Sequence, residues 1–203
     1  GNRGTFDPGN PDIRFSRAVR EEGIPREARV ISSSRSTREL KSHPDYESAK
    51  AGDSSAAVRL VNDLVEAGEI EAAREAFGEN VLFVWPHAEE EKGRNKLPAA
   101  LASRYAAAVG ASLAPEIVQA NRAFHTGAGA MERLIARPHF DGEVVRGARY
   151  VLADDVTTLG STLAELADHI RAGGGQVVGA VVLADASREG RMAPDAALVR
   201  AVR

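Results

Sequence analysis

The stretch Arg149-Tyr-Val-Leu-Ala-Asp-Asp-Val-Thr-Thr-Leu-Gly-Ser-Thr162 decides how this chain is read. An apolar run ends in two adjacent carboxylates, Asp154 and Asp155, and then breaks into threonines and one glycine. Tyr150 to Ala153 have the composition of a buried strand, while Leu163 to Arg171 carry Leu163, Leu166, Ala167 and Ile170 at helical spacing. The turn between them therefore falls at the carboxyl end of a strand and the amino end of a helix. Unpaired N–H groups and the helix dipole favour an anion there, and a phosphate suits the position. Carboxylates beside a phosphate make sense if they face sugar hydroxyls or a hydrated Mg²⁺. The plainer alternative, a strand-turn-helix with a threonine cap, needs only one capping residue.

At these residues the chain resembles the type I phosphoribosyltransferases, whose signature is an apolar strand, two acidic residues and a Thr/Gly-rich loop around the 5-phosphate of phosphoribosyl pyrophosphate (PRPP). The resemblance covers about Val81 to Leu183. It implies an α/β fold, a parallel sheet flanked by helices, with a long flap after the second strand. It also implies that Asp154 and Asp155 hold the ribose hydroxyls and a Mg²⁺ cofactor, that Asp155 is catalytic, and that Val156, Thr157, Thr158, Leu159, Gly160, Ser161 and Thr162 wrap the phosphate. Leu159 stands where the signature has a second small hydroxyl residue, which removes one side-chain donor.

Working outward, Val81-Leu-Phe-Val-Trp85 is a continuous apolar run of strand length, the profile of a strand buried on both faces of a parallel sheet. The loop after it, Pro86 to Pro98, would contact pyrophosphate in the resembling family, with Pro86, His87, Arg94 and Lys96 as binding residues and Lys92 and Asn95 as further donors. Glu89 to Glu91 read as a solvated tip, and His87 is either a site residue or a structural histidine. A helix follows over Pro98 to Ala108, Pro98 suiting its first turn.

The excursion from Gln119 to Arg149 is too long for an ordinary connection. It corresponds to the family's flap over the reacting sugar. Arg133 and Arg137, four apart and on one face of a helical turn, are the candidate catalytic cations, and Leu134, Ile135 and Phe140 would seat the flap. Further strands are expected near Glu116 to Gln119 and at Gln176 to Ala184, giving four strands in alternation with helices and hence a parallel sheet. Ligands belong at its carboxyl edge. No fifth strand can be assigned, and Asp185 to Arg191 either close the sheet edge or contact an acceptor.

With 203 residues, 43% of them hydrophobic, the chain can bury a sizeable core, and zero cysteines exclude disulfides, a thiol nucleophile and thiolate metal sites. No apolar run reaches the ~20 residues of a membrane span, so a cytoplasmic protein without a membrane partner is expected. A net charge of -3 gives no support for general nucleic-acid binding.

The domain is expected over residues 43–203, with Ala57, Leu60, Val61, Leu64 and Val65 on one helix face, Gly68 as its stop, and a shorter helix over Glu69 to Phe77. Residues 1–42 read as a linker or an N-terminal arm: Gly1 to Pro11 are rich in Gly and Pro, and Arg29 to Lys41 form a Ser/Arg/Thr run without apolar period. The chain opens on Gly1 without a Met, as a piece excised from a larger polypeptide would, and Asn10 to Arg17 resembles linkers in very large phage and mobile-element proteins.

The function implied is transfer of the 5-phosphoribosyl group from PRPP to a nitrogen of a small acceptor, a nucleobase of nucleotide metabolism being the expected class, with release of pyrophosphate; a homodimer is compatible with it. Two alternatives stay open. One is a module that senses PRPP or a ribose phosphate without turnover; the other is the effector domain of a large phage or mobile-element protein.

Overall fold

The computed structural model describes residues 24–34, 36–87, 94–120, 139–157 and 162–186. In chain order its elements are β1 (Arg29–Ser34), α1 (Thr37–Lys41), α2 (Tyr46–Lys50), α3 (Ser54–Leu64), α4 (Ala67–Phe77), β2 (Leu82–Val84), α5 (Leu97–Val109), β3 (Ser112–Leu113), β4 (Val118–Ala120), β5 (His139–Asp141), β6 (Arg149–Thr157), α6 (Thr162–Ala172) and β7 (Gln176–Asp185). Five strands form one sheet in the order β1-β7-β6-β2-β3, and every neighbouring pair is parallel. The expected α/β fold is therefore present, with β6 as the middle strand of the sheet and its carboxyl end on the same edge as all the others.

Both faces of the sheet are covered, which is why β2, β7 and the first part of β6 carry continuous apolar runs rather than alternating ones. Successive side chains go to opposite faces. Val151 and Ala153 of β6 join Phe83, Val181 and Leu183 in one core with α1 to α5, while Tyr150 and Leu152 join Val84, Ala180 and Val182 in a second core beneath α6. The four residues Leu163, Leu166, Ala167 and Ile170 are the buried stripe of α6, as their spacing requires.

Three elements differ from the sequence reading. The strand expected near Glu116 to Gln119 does not enter the main sheet: β3 does, and β4 pairs antiparallel with β5 in a separate two-stranded sheet. Ala114 makes the last ladder bond to β2, donating to the Phe83 carbonyl at 2.8 Å, and Pro115, with no N–H and a fixed φ, follows it. The β4–β5 ribbon is the base of the long excursion, and Phe140 is buried in the core beneath α6.

The fifth strand comes from the amino-terminal part: β1, inside the segment read as linker or arm, lies on the β7 edge. Its apolar residues are only Val30 and Ile31, one packed against each core, so no run or period announces it. Regular structure thus begins 14 residues before the boundary drawn at residue 43. Finally, α3 ends at Leu64 rather than at Gly68, because Val65 turns into an extended conformation and buries its side chain; Gly68 lies inside α4.

Gly179 marks the tightest approach between the sheet and its cover. A Cβ there would stand 2.6 Å from the Arg29 carbonyl oxygen and closer still to the Phe77 ring. Gly179→Ala is expected to destabilise the protein by about 1–3 kcal/mol through overpacking. Thermal melts of the variant check this, and an unchanged melting temperature would show that β1 and α4 give way freely.

Candidate functional site

The carboxyl edge is assembled from three strand ends. Parallel pairing sets Val84 of β2 level with Leu152 of β6, and Thr157 of β6 level with Asp185 of β7. Trp85, Pro86 and His87 thus leave the sheet close to the level at which Asp154 and Asp155 end the apolar part of β6. The connection from β6 to α6 spans residues 158–161, so a strand leads into a helix as expected, but the strand runs on through Asp154, Asp155, Val156 and Thr157, where the sequence reading has the loop begin, because β7 continues its ladder there; Thr158, Leu159, Gly160 and Ser161 lie outside the described residues.

Asp155 is the most constrained group at the edge, with 7% of its surface exposed. Its Oδ2 accepts from the Lys50 ammonium at 2.9 Å and from the Asn95 amide at 3.2 Å. Its Oδ1 accepts from the Val156 N–H at 3.0 Å. Burial works against its charge, but the bond to the neighbouring Asp154 carboxyl, the Lys50 ammonium and the Asn95 amide together hold its pKa below the usual carboxylate value. Lys50 answers in kind: desolvation alone would lower its pKa, and the contact with Asp155 keeps it raised.

The supports of this pair are themselves fastened. α2, which ends at Lys50, buries Tyr46 and Ala49, and Asp45 at its amino end receives both guanidinium arms of Arg59 on α3, at 2.9 and 3.2 Å. The Ala49 carbonyl accepts from the Lys96 N–H at 3.0 Å, and Asn95 Oδ1 accepts from the Leu97 N–H at 3.2 Å. Lys50 and Asn95 consequently arrive at Asp155 as two ends of one hydrogen-bonded corner.

Asp154 is only partly buried, and its Oδ1 accepts from the Asp155 N–H at 2.8 Å. Desolvation, and then the adjacent carboxylate, push its pKa well above the ordinary value. Two carboxylates side by side have thus been separated electrostatically, one ionised against a cation and the other inclined to keep a proton.

The other expected site residues are distributed unevenly. His87 is partly buried, its ring stacks on Trp85 with centroids 5.1 Å apart, and desolvation holds its pKa below the usual histidine value despite a bond to the Pro115 backbone. Its carbonyl accepts from the Gln119 N–H at 2.7 Å, linking the loop after β2 to the base of the excursion. Pro86 is partly buried beside it, and Arg94 is exposed. Lys96 lines a cavity of about 380 Å³ between α3 and α5, together with Ser54, Val58 and Arg104. Asn95, expected to address a ligand, is turned onto Asp155 instead. Thr162 opens α6, and Val156 packs against the larger core. Arg133, Arg137 and Lys92 lie outside the described residues.

Lys50 is the site residue the sequence did not reveal. It lies 105 residues from its partner, in no motif, on a helix of five residues. The only signal available was indirect: two adjacent acids at the end of a buried strand require a cation or a proton.

As a resident Mg²⁺ site the pair fits poorly. Among the described residues no group of three or more His, Cys, Asp or Glu is placed to hold a metal ion, and Asp155 already faces an ammonium. Asp154 offers the hard oxygen that Mg²⁺ prefers, but alone it is no cage.

With this geometry in place, comparison with known proteins is informative. Residues 99–202 match the phosphoribosyl transferase domain family, and the chain belongs to that family. It is also 37% identical over 145 residues to Protein TraN of Escherichia coli, covering 71% of this chain and 32% of that protein. To an uncharacterized protein of Haemophilus influenzae (strain ATCC 51907 / DSM 11121 / KW20 / Rd) it is 35% identical over 130 residues, covering 64% of this chain and 29% of the relative. The chain thus spans about a third of the length of these curated relatives.

The opposite shifts of the two carboxylates give opposite expectations for their amides. The fold binds a proton at Asp154 more tightly than the unfolded chain does, so ionising it costs stability as pH rises above the unfolded pKa of about 4. Asp154→Asn removes that cost: the melting temperature at pH 7 should equal or exceed wild type, and the gain should vanish below about pH 4. Asp155 has a lowered pKa, so its contribution is present above about pH 4 and is lost as pH falls through its folded value. Asp155→Asn should therefore cost about 1–2 kcal/mol at pH 7, allowing for the partial exposure of Lys50, and progressively less in acid. Melts of both variants at pH 7 and pH 4 check the signs.

Proposed function

We propose that this protein is a phosphoribosyltransferase that moves the 5-phosphoribosyl group of PRPP to a nitrogen of a small acceptor, a nucleobase being the expected class. The observation that carries the reading is the acidic pair near the carboxyl end of β6, two residues before the connection into α6, in a sheet whose strands all end on that edge. In the reaction the bond from C1 of the ribose to pyrophosphate breaks, a bond from C1 to the acceptor nitrogen forms, and the proton of that nitrogen is lost. Mg²⁺ would come with the diphosphate of the substrate and help neutralise the leaving group.

The protein's part is placement and charge. The acidic edge orients the ribose through its hydroxyls, and the N–H groups of the connection between β6 and α6 take the 5-phosphate. The neutral His87 and the loop after β2 lie toward the pyrophosphate, with Arg94 at the far end of that loop. Arg133 and Arg137, in the excursion that the β4–β5 ribbon carries, close over the leaving group and exclude water. Asp185, 7% exposed and level with Thr157, closes the β7 side of the edge.

Leu159 favours a second reading, binding of PRPP or another ribose phosphate without turnover, because it removes a hydroxyl donor from the phosphate turn. Coverage of about a third of longer relatives fits a module carried in a larger polypeptide. Among the described residues no helix is long and apolar enough to cross a membrane; action in the cytoplasm belongs with this proposal.

Calorimetry and pyrophosphate release, measured with PRPP and Mg²⁺ against a panel of bases and with none, test the two readings together. Binding is expected to stabilise the fold by about 2.7 kcal/mol at 100 times the dissociation constant. Arg133→Ala and Arg137→Ala should lower turnover more than affinity. Binding without release on any base favours the sensor, and no heat or melting shift at millimolar PRPP would exclude both.

A further inference from the structure

We infer that the groove between α3 and α5 is a docking site for an acidic amphipathic helix of a partner polypeptide, which lays apolar side chains on Val58 and Val61 and sets carboxylates against Lys96 and Arg104. The inference goes beyond the transferase reading and stands without it. The groove shares no residue with the acidic edge of the sheet. Val58 and Lys96 precede residues 99–202, so the family match does not assign it.

Its floor is apolar. The cavity of about 380 Å³ is lined by Val58 and Val61 of α3 and by Ala99 and Ala100 of α5, with Lys96 and Arg104 at either end of the α5 wall. The α3 positions recur every three or four residues, from Ser54 through Val58 to Val61 and Asn62, and so follow one face of that helix. Each wall extends from its first to its last lining residue, Ser54 to Asn62 and Lys96 to Arg104, over about 12 Å at the helical rise per residue. Two turns of a third helix have that length. Val61 is buried, but Val58 keeps 50% of its surface exposed, so the floor has apolar area left to cover. An elongated floor of this kind suits the i, i+3, i+4 and i+7 side chains of a helix laid along it.

Charge selects the helix. The single basic residue on each of α2, α3 and α4 meets a carboxylate: Lys50 on Asp155, Arg59 on Asp45 and Arg74 on Glu71. Arg104, the single basic residue of α5, and Lys96 at its amino end meet none among the described residues. No acidic side chain lines the groove. Two uncompensated cations at the ends of an apolar floor call for carboxylates on both sides of an apolar stretch. A second copy laid face to face would set one cation-bearing wall against another, so an isologous dimer does not suit this face. A phosphodiester backbone would satisfy the cations and leave the valine uncovered.

The test is the affinity of the whole chain for a synthetic alanine-based helical peptide of about 18 residues, with leucines at i, i+3, i+4 and i+7 and a glutamate on the same face beyond each end of them. A second peptide carries glutamines for the glutamates, and a third carries alanines for the leucines. Fluorescence anisotropy gives the affinities, and melting temperatures verify that each variant folds. Wild type should bind the first peptide with a dissociation constant of about 1–100 μM and each control at least about tenfold more weakly. Lys96→Gln and Arg104→Gln should each weaken binding of the glutamate peptide and leave that of the glutamine peptide unchanged, because both changes remove the same contact. Val58→Glu, at a half-exposed position, should fold and abolish binding. If its melting temperature falls, Val58→Ala replaces it and should weaken binding. Equal affinity for the glutamate and glutamine peptides, or binding that survives the Val58 variant, would overturn the inference. So would absence of binding at about 1 mM peptide, or sedimentation showing a dimer that Val58→Glu dissociates, which would give the groove to a second copy.

Discussion

A carboxylate taken almost wholly out of water must be given a cation, several donors or a proton. Asp155 is given the first two, and much of the architecture around the site serves to deliver them. A lysine on a five-residue helix has no precision of its own, since so short a helix is unstable in isolation. Its precision comes from burial of Tyr46 and Ala49, from the Arg59 fork on Asp45, and from the backbone bond to Lys96. The ion pair is thus less a source of stability than a constraint on where things stand. Breaking it strands a charge, while keeping it fixes β6 at Asp155, two residues before the strand ends.

The same constraint sorts the neighbouring acid. Asp154 is desolvated and shares its surroundings with an ionised partner, and the Lys50 ammonium offsets this only in part, so its charge is disfavoured until something positive or hydrogen-bonding arrives. That is a useful condition for a ligand carboxylate: part of its desolvation has been met by the fold, and hydroxyl donors from a sugar would restore what water no longer gives. The asymmetry follows from the donors each carboxylate receives: Lys50, Asn95 and the Val156 N–H on Asp155, and the Asp155 N–H on Asp154.

How far the sequence could be read follows from which interactions are local. The apolar run Tyr150 to Ala153, the stripe Leu163, Leu166, Ala167 and Ile170, and the run around Phe83 are set by neighbours within a few residues, and each is found where its pattern places it, although β6 runs on to Thr157 because β7 continues its ladder there. The edge strand Arg29–Ser34 was missed because an edge needs little apolar content: β7 supplies its ladder, and Val30 and Ile31 suffice to touch the two cores. The strand near residue 118 was given to the wrong sheet because its period carries no information about its partner, whereas Pro115 ends the ladder with β2. At the site, the carboxylates were legible as a motif and their electrostatic separation was not. It depends on Lys50, brought from 105 residues away by tertiary packing alone.

That long-range contact bears on what the family's defining segment can do by itself. Residues 99–202 contain β6, β7 and α6, and with them the acidic pair and the turn, but not β1, β2, Lys50 or Asn95. Without β2, β6 loses its ladder on one side, and without β1, β7 becomes an exposed edge whose apolar residues have lost their cover. Asp155 would at the same time lose both side chains that neutralise or hydrogen-bond its Oδ2. A strand at the centre of a sheet and a buried anion fail for the same reason, the absence of partners on one side. Among the described residues, β1, β2, Lys50 and Asn95 therefore complete the sheet of the site-bearing segment and hold its charge.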